Sequence, residues 1–316
     1  RESKKLAGQD IVLMYEKNCS SFEESASVLY KKLIDAGYDN VYYIVDKGIP
    51  AVSELDDRYK KNLIQKDSDR HLEYFFASEK FVSTETIDHS LQLRIAHKRV
   101  QDKLTGDGLQ YVFLQHGVMY MGSLDSGLRV GFRHKDNYRL HKTVVSSEAE
   151  AQHFIELAGM KRDDLYITGL AKFDECFMEE GADKIVIMPT WRRWETNQAK
   201  HDIEGTGYFR MIKTMYEAVP EKLREKGIIL PHPLMAERFR DEEGGLGGSI
   251  LLADSYDKVL RDCSLLITDY SSIAYDAYYR GANVVFFWAE KDECMAHYGE
   301  GTKLMLNEGN VFGPVC

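Results

Sequence analysis

Long apolar runs are missing from this 316-residue chain. None approaches the roughly 18–20 residues that span a bilayer, and no leader pattern opens the sequence. A cytoplasmic protein is therefore expected, with membrane contact limited to a peripheral one at the inner face. Cysteine is scarce as well. Cys19, Cys176, Cys263, Cys294 and Cys316 are scattered with no CxxC pair, so neither a disulfide framework nor a zinc site is indicated and reduced thiols are expected. Basic excess is absent too: the formal charge of −10 argues against general nucleic-acid binding, which needs a basic face to release counterions. A local basic pocket stays compatible with that charge. There is no HExxH, no paired-aspartate metal motif and no Walker pattern, so neither a metal nor a cofactor is expected. Internal repeats at solenoid periods and low-complexity tails are also lacking. The chain begins on Arg1 rather than Met and stops on VFGPVC, which reads as a piece of a longer chain.

What is present describes a globular protein. With 44% hydrophobic and 29% charged residues, the chain has ample material for buried cores, and its length suits two domains. The apolar run Ile11–Tyr15, the helical spacing of Phe22–Leu33 and the run Val41–Val45 form a strand, helix, strand series. Such a unit implies parallel strands joined by right-handed crossovers. Further strands are expected at Lys80–Thr84, Tyr111–Gln115, Thr143–Ser146 and Leu165–Thr168, completing one doubly wound sheet. A polar, acidic stretch over Gly169–Asp183 follows. The second series runs Lys184–Met188, a long helix Tyr208–Glu225, Gly227–Leu230, Ser249–Leu252, a helix Asp254–Arg261, Leu265–Thr268, another helix, and Asn283–Trp288. The expected fold is α/β, two Rossmann-like domains over residues 1–170 and 171–316. The glycine-rich Gly244–Gly248 follows a helix end rather than a strand, so it reads as a flexible connection and not a phosphate loop.

Ligands on open α/β sheets bind beyond the carboxyl ends of the strands. The central stretch is Leu265–Asp276, LLITDYSSIAYD: a buried strand, a tight turn and a helix opening on Ser271 and Ser272. A helix start offers unpaired N–H groups and partial positive charge, a seat for phosphate. Simple N-capping by the same residues is the plain alternative. Three other strand ends carry reactive side chains. Tyr111–Gln115 delivers Gln115-His116-Gly117, with the glycine expected to make the sharp exit. Gly227–Leu230 delivers Pro231-His232-Pro233, whose prolines fix the backbone around one imidazole. Lys184–Met188 delivers Pro189-Thr190-Trp191-Arg192-Arg193-Trp194. Singly, each histidine has an ordinary structural explanation and the Trp-Arg-Arg-Trp run could be a solvated cation–π patch. Together, with one histidine in each half, they suit transfer at phosphate or at a sugar attached to phosphate. An arginine fork and a helix start would hold phosphate oxygens, and a neutral imidazole would accept a hydroxyl proton. A cleft between the two sheets would bring the histidines face to face.

QHG at 115–117, TGLAKFD at 168–174, PTWR at 189–192, HP at 232–233 and TDYSSIAYD at 268–276 occur in this order. The series resembles the CDP-glycerol glycerophosphotransferases, the teichoic acid primases and polymerases with their capsule relatives, over residues 110 to 316. The resemblance implies a GT-B architecture with a central cleft, the second domain binding the donor and the first facing the acceptor. It implies transfer of glycerol phosphate from CDP-glycerol, or ribitol phosphate from CDP-ribitol, to a hydroxyl of a lipid-linked polyol-phosphate or capsular polymer, releasing CMP. By motif, His116 is implied as general base and His232 as the donor-side histidine on the pyrophosphate. Thr190, Arg192, Thr268, Asp269, Ser271 and Ser272 are implied around the donor phosphates and nucleotide, with Asp276 on the ribose. Gln115 and Gly117 lie on the acceptor side. Val118-Met119-Tyr120-Met121 departs from the family's run after HG, and Arg280-Gly281-Ala282-Asn283 from its Lys-Pro, which leaves wall and capsule polymers equally open. A GT-B glycosyltransferase using a nucleotide sugar, and a non-catalytic nucleotide or polymer-binding module, are the competing readings. The first does not account for PTWR with TDYSS, and the second does not account for two retained histidines.

Overall fold

A computed structural model describes residues 2–6, 8–85, 90–91, 96–106, 108–122, 142–239, 246, 249–252, 255–298 and 303–316. The chain forms two compact units. The first extends to Val118 and resumes through Glu175; the second takes Met119–Gly122 and Cys176–Cys316.

The first unit is a parallel sheet of seven strands. In chain order these are β1 Val12–Tyr15, β2 Val41–Val45, β3 Leu63–Gln65, β4 Lys80–Ser83 and β5 Gln110–Phe113, then, after β6 Met121–Gly122 of the other unit, β7 Lys142–Val145 and β8 Leu165–Ile167. They lie in the order β3-β2-β1-β4-β5-β7-β8. The order reverses between β1 and β4, and the carboxyl ends of such neighbours open the crevice where doubly wound sheets bind ligands. Leu13, Ile44, Ile64, Phe81 and Tyr111 bury their side chains together in the core. The short edge strand β3 has no counterpart in the sequence expectations, since three residues carry too little alternation to stand out.

The second unit has a four-stranded parallel sheet, β10-β9-β11-β12, built from β9 Lys184–Ile187, β10 Gly227–Ile229, β11 Cys263–Thr268 and β12 Asn283–Phe286. Alternation along β9 divides its two apolar layers. Ile185 and Ile187 face Phe209, Ile212 and Met215 of the helix Gly207–Ala218, while Val186 packs with Leu260, Leu266, Ala274 and Ala277. Tyr120 is buried in that second layer. A two-stranded antiparallel ribbon joins β6 to β13 Lys303–Leu304.

Several expectations are corrected. The helix expected through Glu225 ends at Ala218, because Pro220 bars an α-helical Val219, and a separate 3₁₀ segment covers Glu221–Lys226. Ser249–Leu252 forms no strand; it contributes one parallel bridge, Ile229 with Ile250. The helix expected from Asp254 begins at Tyr256 with Ser255 capping Lys258, and Asp254 lies outside the described residues. So does Gly244–Gly248 apart from Leu246. Among the described residues no helix is long and apolar enough to cross a membrane.

Candidate functional site

In the first unit the carboxyl ends of β1, β4 and β5 assemble one group of side chains. After β1 the backbone takes three consecutive left-handed residues, Lys17, Asn18 and Cys19, with φ of 43°, 55° and 66°. Non-glycine residues seldom occupy this region, and strain of this kind is held only where surroundings over-determine it. The turn is held by Lys66, whose ammonium donates to the Asn18 carbonyl at 2.6 Å, and by Glu85, which accepts the Asn18 N–H. Glu16, fully buried, accepts N–H bonds from Glu23, Glu24 and Ser27 at 2.5, 2.9 and 3.1 Å. It thereby supplies the acceptors for the start of the helix Ser25–Asp35, work a cap residue ordinarily does.

His116 stands exposed at the end of this group. Its Nδ1 lies 3.2 Å from Glu24 Oε2, and its Nε2 lies 3.9 Å from Glu85 Oε1. The exit from β5 differs from the sequence expectation: the left-handed residue is Gln115, φ 63°, and not Gly117. Gln115 is buried and its amide donates to the Val144 carbonyl at 2.7 Å, so it is a fixed turn residue within the first unit. Lys172, in the TGLAKFD stretch, donates to the His116 carbonyl at 2.8 Å and receives support from Ser25 through its own N–H at 3.3 Å. Burial by itself would raise the Glu24 carboxyl. The His116 hydrogen bond and the charges of Lys17, His116 and Lys172 outweigh it and hold that carboxyl below its usual range. Glu16 moves the other way, raised by burial and by the charge of Glu24. Sequence reasoning missed Glu16, Glu24, Glu85 and Lys172. Two of these had a usable signal, since Glu16 follows the apolar run IVLMY and Glu85 follows KFVST.

The second unit gathers the carboxyl ends of β9, β10 and β11. Asp269, closed to solvent, accepts the Thr190 N–H at 2.7 Å and Arg192 Nη1 at 2.7 Å. Arg192 also donates to the Thr190 carbonyl at 2.9 Å and to Glu290 at 3.2 Å. The structure thus turns Arg192 inward, only 2% exposed, where it braces the turn after β9. Burial alone favours loss of its proton, but the Asp269 charge prevails and keeps the guanidinium charged. Thr268 is equally internal, its hydroxyl donating to the Met188 carbonyl at 2.6 Å. The Asp269 carbonyl accepts Tyr120 OH at 3.0 Å and Trp288 Nε1 at 3.3 Å. Tyr120, which departs from the family's pattern after HG, is therefore a core residue of this unit.

His232, half-buried, stacks on Trp191 with ring centroids 5.8 Å apart, and its N–H donates to Tyr208 OH at 3.1 Å. Tyr256 OH donates to the Pro231 carbonyl at 3.1 Å. Burial pushes the His232 imidazole down to about 4 against an upward pull from Asp269, so the ring is neutral at neutral pH. Ser271 and Ser272 open the helix Ile273–Arg280 half-buried. Ser272 occupies the cap position without a side-chain cap bond, and Ser271 Oγ accepts the Ile273 N–H at a long 3.4 Å. The Thr190 hydroxyl, shut from solvent, has no hydrogen-bond partner among the described residues. Asp276 is buried in the first turn of that helix. His232, Thr190 and the Ser271–Ser272 start all lie on the carboxyl edge of one parallel sheet.

The family model described as "CDP-Glycerol:Poly(glycerophosphate) glycerophosphotransferase" matches residues 3–316. The minor teichoic acid biosynthesis protein GgaB of Bacillus subtilis (strain 168) is 24% identical over 295 residues, 85% of this chain. The chain spans about a third of GgaB, 31% of its length. Among solved structures, a variant of the wall teichoic acid polymerase TagF soaked with CDPG superposes with a TM-score of 0.67 at 15% identity, covering 99% of this chain and 78% of that one. A second TagF variant gives 0.65 at 15% identity over 100% and 78%. These structural likenesses are of fold, and they bear out the expected GT-B-type α/β fold.

Proposed function

From the premise that this chain belongs to the CDP-glycerol:poly(glycerophosphate) glycerophosphotransferase family, we propose that it transfers glycerol phosphate from CDP-glycerol to a polymer hydroxyl, releasing CMP. The observation that carries this reading is the carboxyl edge of the second sheet, with a neutral histidine, a helix start lacking a side-chain cap at Ser272 and a Thr190 hydroxyl that has no partner among the described residues. Phosphate oxygens suit that edge because helix-start N–H groups and hydroxyls donate hydrogen bonds without needing a counter-charge. His232 then donates to the pyrophosphate as a neutral imidazole, and Ser271 and Ser272 hold its oxygens. Arg192 and Asp269 act behind them by fixing Thr190, and Asp276 holds the ribose. The second domain is the donor side, and no metal or cofactor takes part.

On the first unit, His116 takes the proton from the acceptor hydroxyl, with Gln115 making its turn and Gly117 beside it on the acceptor side. The hydroxyl oxygen attacks the β-phosphorus in line as the bond to CMP breaks. The acceptor is a teichoic-acid-like or capsular polyol-phosphate polymer, lipid-linked, reached by peripheral contact at the inner membrane face. The likeness to TagF crystals soaked with CDPG supports the donor assignment.

The test is CMP release from CDP-glycerol and CDP-ribitol, with UDP-sugars as controls, a polyol-phosphate acceptor and EDTA. Release of CMP from a CDP-alditol in EDTA is expected, reduced ~100-fold or more in His116→Ala and His232→Ala, the scale for losing a base or key electrostatic contact. Turnover only with a UDP-sugar would reassign the chain to the glycosyltransferases.

A further inference from the structure

The group around His116 contains a carboxylate that the proposed reaction does not yet use. Resting on the reading of His116 as base, we propose that Glu24 is a positioning residue: it holds the imidazole proton on Nδ1 and leaves Nε2 to accept the proton of the attacking hydroxyl.

Glu24 is fixed through both its backbone and its carboxylate. Its N–H donates to Glu16 at 2.9 Å, and its carbonyl accepts Ser27 Oγ at 2.8 Å. The side chain is 11% exposed, and both carboxylate oxygens are engaged, Oε1 by the Lys17 ammonium at 3.1 Å and Oε2 by His116 Nδ1 at 3.2 Å. An ionised carboxylate only accepts hydrogen bonds, so the ring nitrogen facing it must be the donor. In a neutral imidazole that places the free lone pair on Nε2. His116 is also held from behind, with Lys172 on its carbonyl and the strained Gln115 turn before it.

Among the described residues, the other charged groups facing the ring do not replace Glu24. Glu85 approaches Nε2 only to 3.9 Å, outside hydrogen-bond range. Lys172 bonds the backbone of His116. Lys17 and Glu16 act on Glu24 itself, the first through its ammonium and the second through its backbone.

The step balances. The acceptor O–H bond breaks and its proton moves to Nε2. The oxygen's electron pair forms the new O–P bond, while the P–O bond to the CMP leaving group breaks with its electrons on CMP. The ring becomes a cation beside the Glu24 carboxylate, which stabilises charge appearing only as the reaction proceeds. Glu24 should therefore act on kcat more than on KM.

The experiment uses the full chain labelled with ¹⁵N-histidine, His116 being assigned by the signal lost in His116→Ala. The wild-type ring is expected to show an unprotonated Nε2. In Glu24→Gln the tautomer should become mixed, with kcat for CMP release falling ~10- to 100-fold, less than the ~10²–10⁴-fold that general acid–base catalysis contributes as a whole, and KM changing less than about threefold. Glu85→Gln should leave the tautomer as in wild type. Glu24→Asp, which keeps the charge on a shorter arm, should give an intermediate kcat and serves if the glutamine variant does not fold. Wild-type kcat in either Glu24 variant, or an unchanged tautomer in Glu24→Gln, overturns the proposal. A tautomer that shifts in Glu24→Gln while His116→Ala turns over normally would overturn the base reading instead, leaving the pair as structure only.

Discussion

Arg192 and Asp269 form an ion pair inside one unit, Nη1 and Oδ2 2.7 Å apart, with the side chains 2% and 0% exposed. Asp269 also holds the Thr190 N–H, so a single carboxylate ties the turn after β9 to the turn after β11. The pair is the frame on which the proposed donor edge stands, and its removal tests the frame apart from the chemistry.

Arg192→Ala is expected to lower unfolding stability by about 3–5 kcal/mol, the cost of leaving a buried charge without its partner. Arg192→Ala with Asp269→Ala together should cost less than the sum of the two, because the double variant leaves no orphan charge. Urea unfolding of the four proteins measures both. Additivity would show that the pair contributes no coupling.

His232 makes a pH prediction. Its folded value, about 4, lies below the ordinary 6.5, so the unfolded chain takes up a proton first as pH falls. Stability is therefore full above about pH 6.5 and declines toward pH 4, by roughly 3 kcal/mol for this group. Urea midpoints at pH 7 and pH 4.5 should separate less in His232→Gln than in wild type. Equal separation would sink the idea that burial keeps this ring neutral.

The Gln115 turn should discriminate by backbone shape. Gln115→Val places a β-branched residue in a left-handed conformation and removes the bond to the Val144 carbonyl, and the expected loss is about 2–3 kcal/mol. Gln115→Gly loses the hydrogen bond but tolerates the conformation, so it should cost less. Denaturation midpoints ranking glycine below valine would contradict the strained turn.

Glu16→Ala should expose the helix Ser25–Asp35 to fraying. Three backbone N–H groups lose their acceptor, and about 1–3 kcal/mol is expected for buried donors left unmet. Glu16→Gln retains an acceptor oxygen and should cost less. Faster amide hydrogen exchange at Glu24 and Ser27 in Glu16→Ala is the measurement, and unchanged exchange there would remove Glu16 from the helix start.

Much of the fold was legible because parallel buried strands are short apolar runs ended by polar turns. Val41–Val45 matches β2 residue for residue, and Lys80, Leu165 and Lys184 open their strands where expected. Reading stopped where local pattern carries no signal, as in the three-residue β3, or where a proline interrupts a helical spacing, as at Pro220. The strand-end rule singled out His116, His232, Thr190, Arg192 and Ser271, but it gave no sign that Arg192 is paired with Asp269. A guanidinium beside tryptophans looks the same in sequence whether it faces solvent or an aspartate 77 positions later.

The amino-acid sequence alone determined the class of fold and the ordered motifs of the family, since apolar periodicity and short motif spacing are local properties of a chain. Only tertiary structure decided which polar groups serve one another. Glu24 meets His116 from 92 positions away and Lys172 reaches it from 56. The first partnership arises from strand order, because β1 and β5 flank β4 in the sheet, and order within a sheet is a global choice that no short stretch of residues encodes.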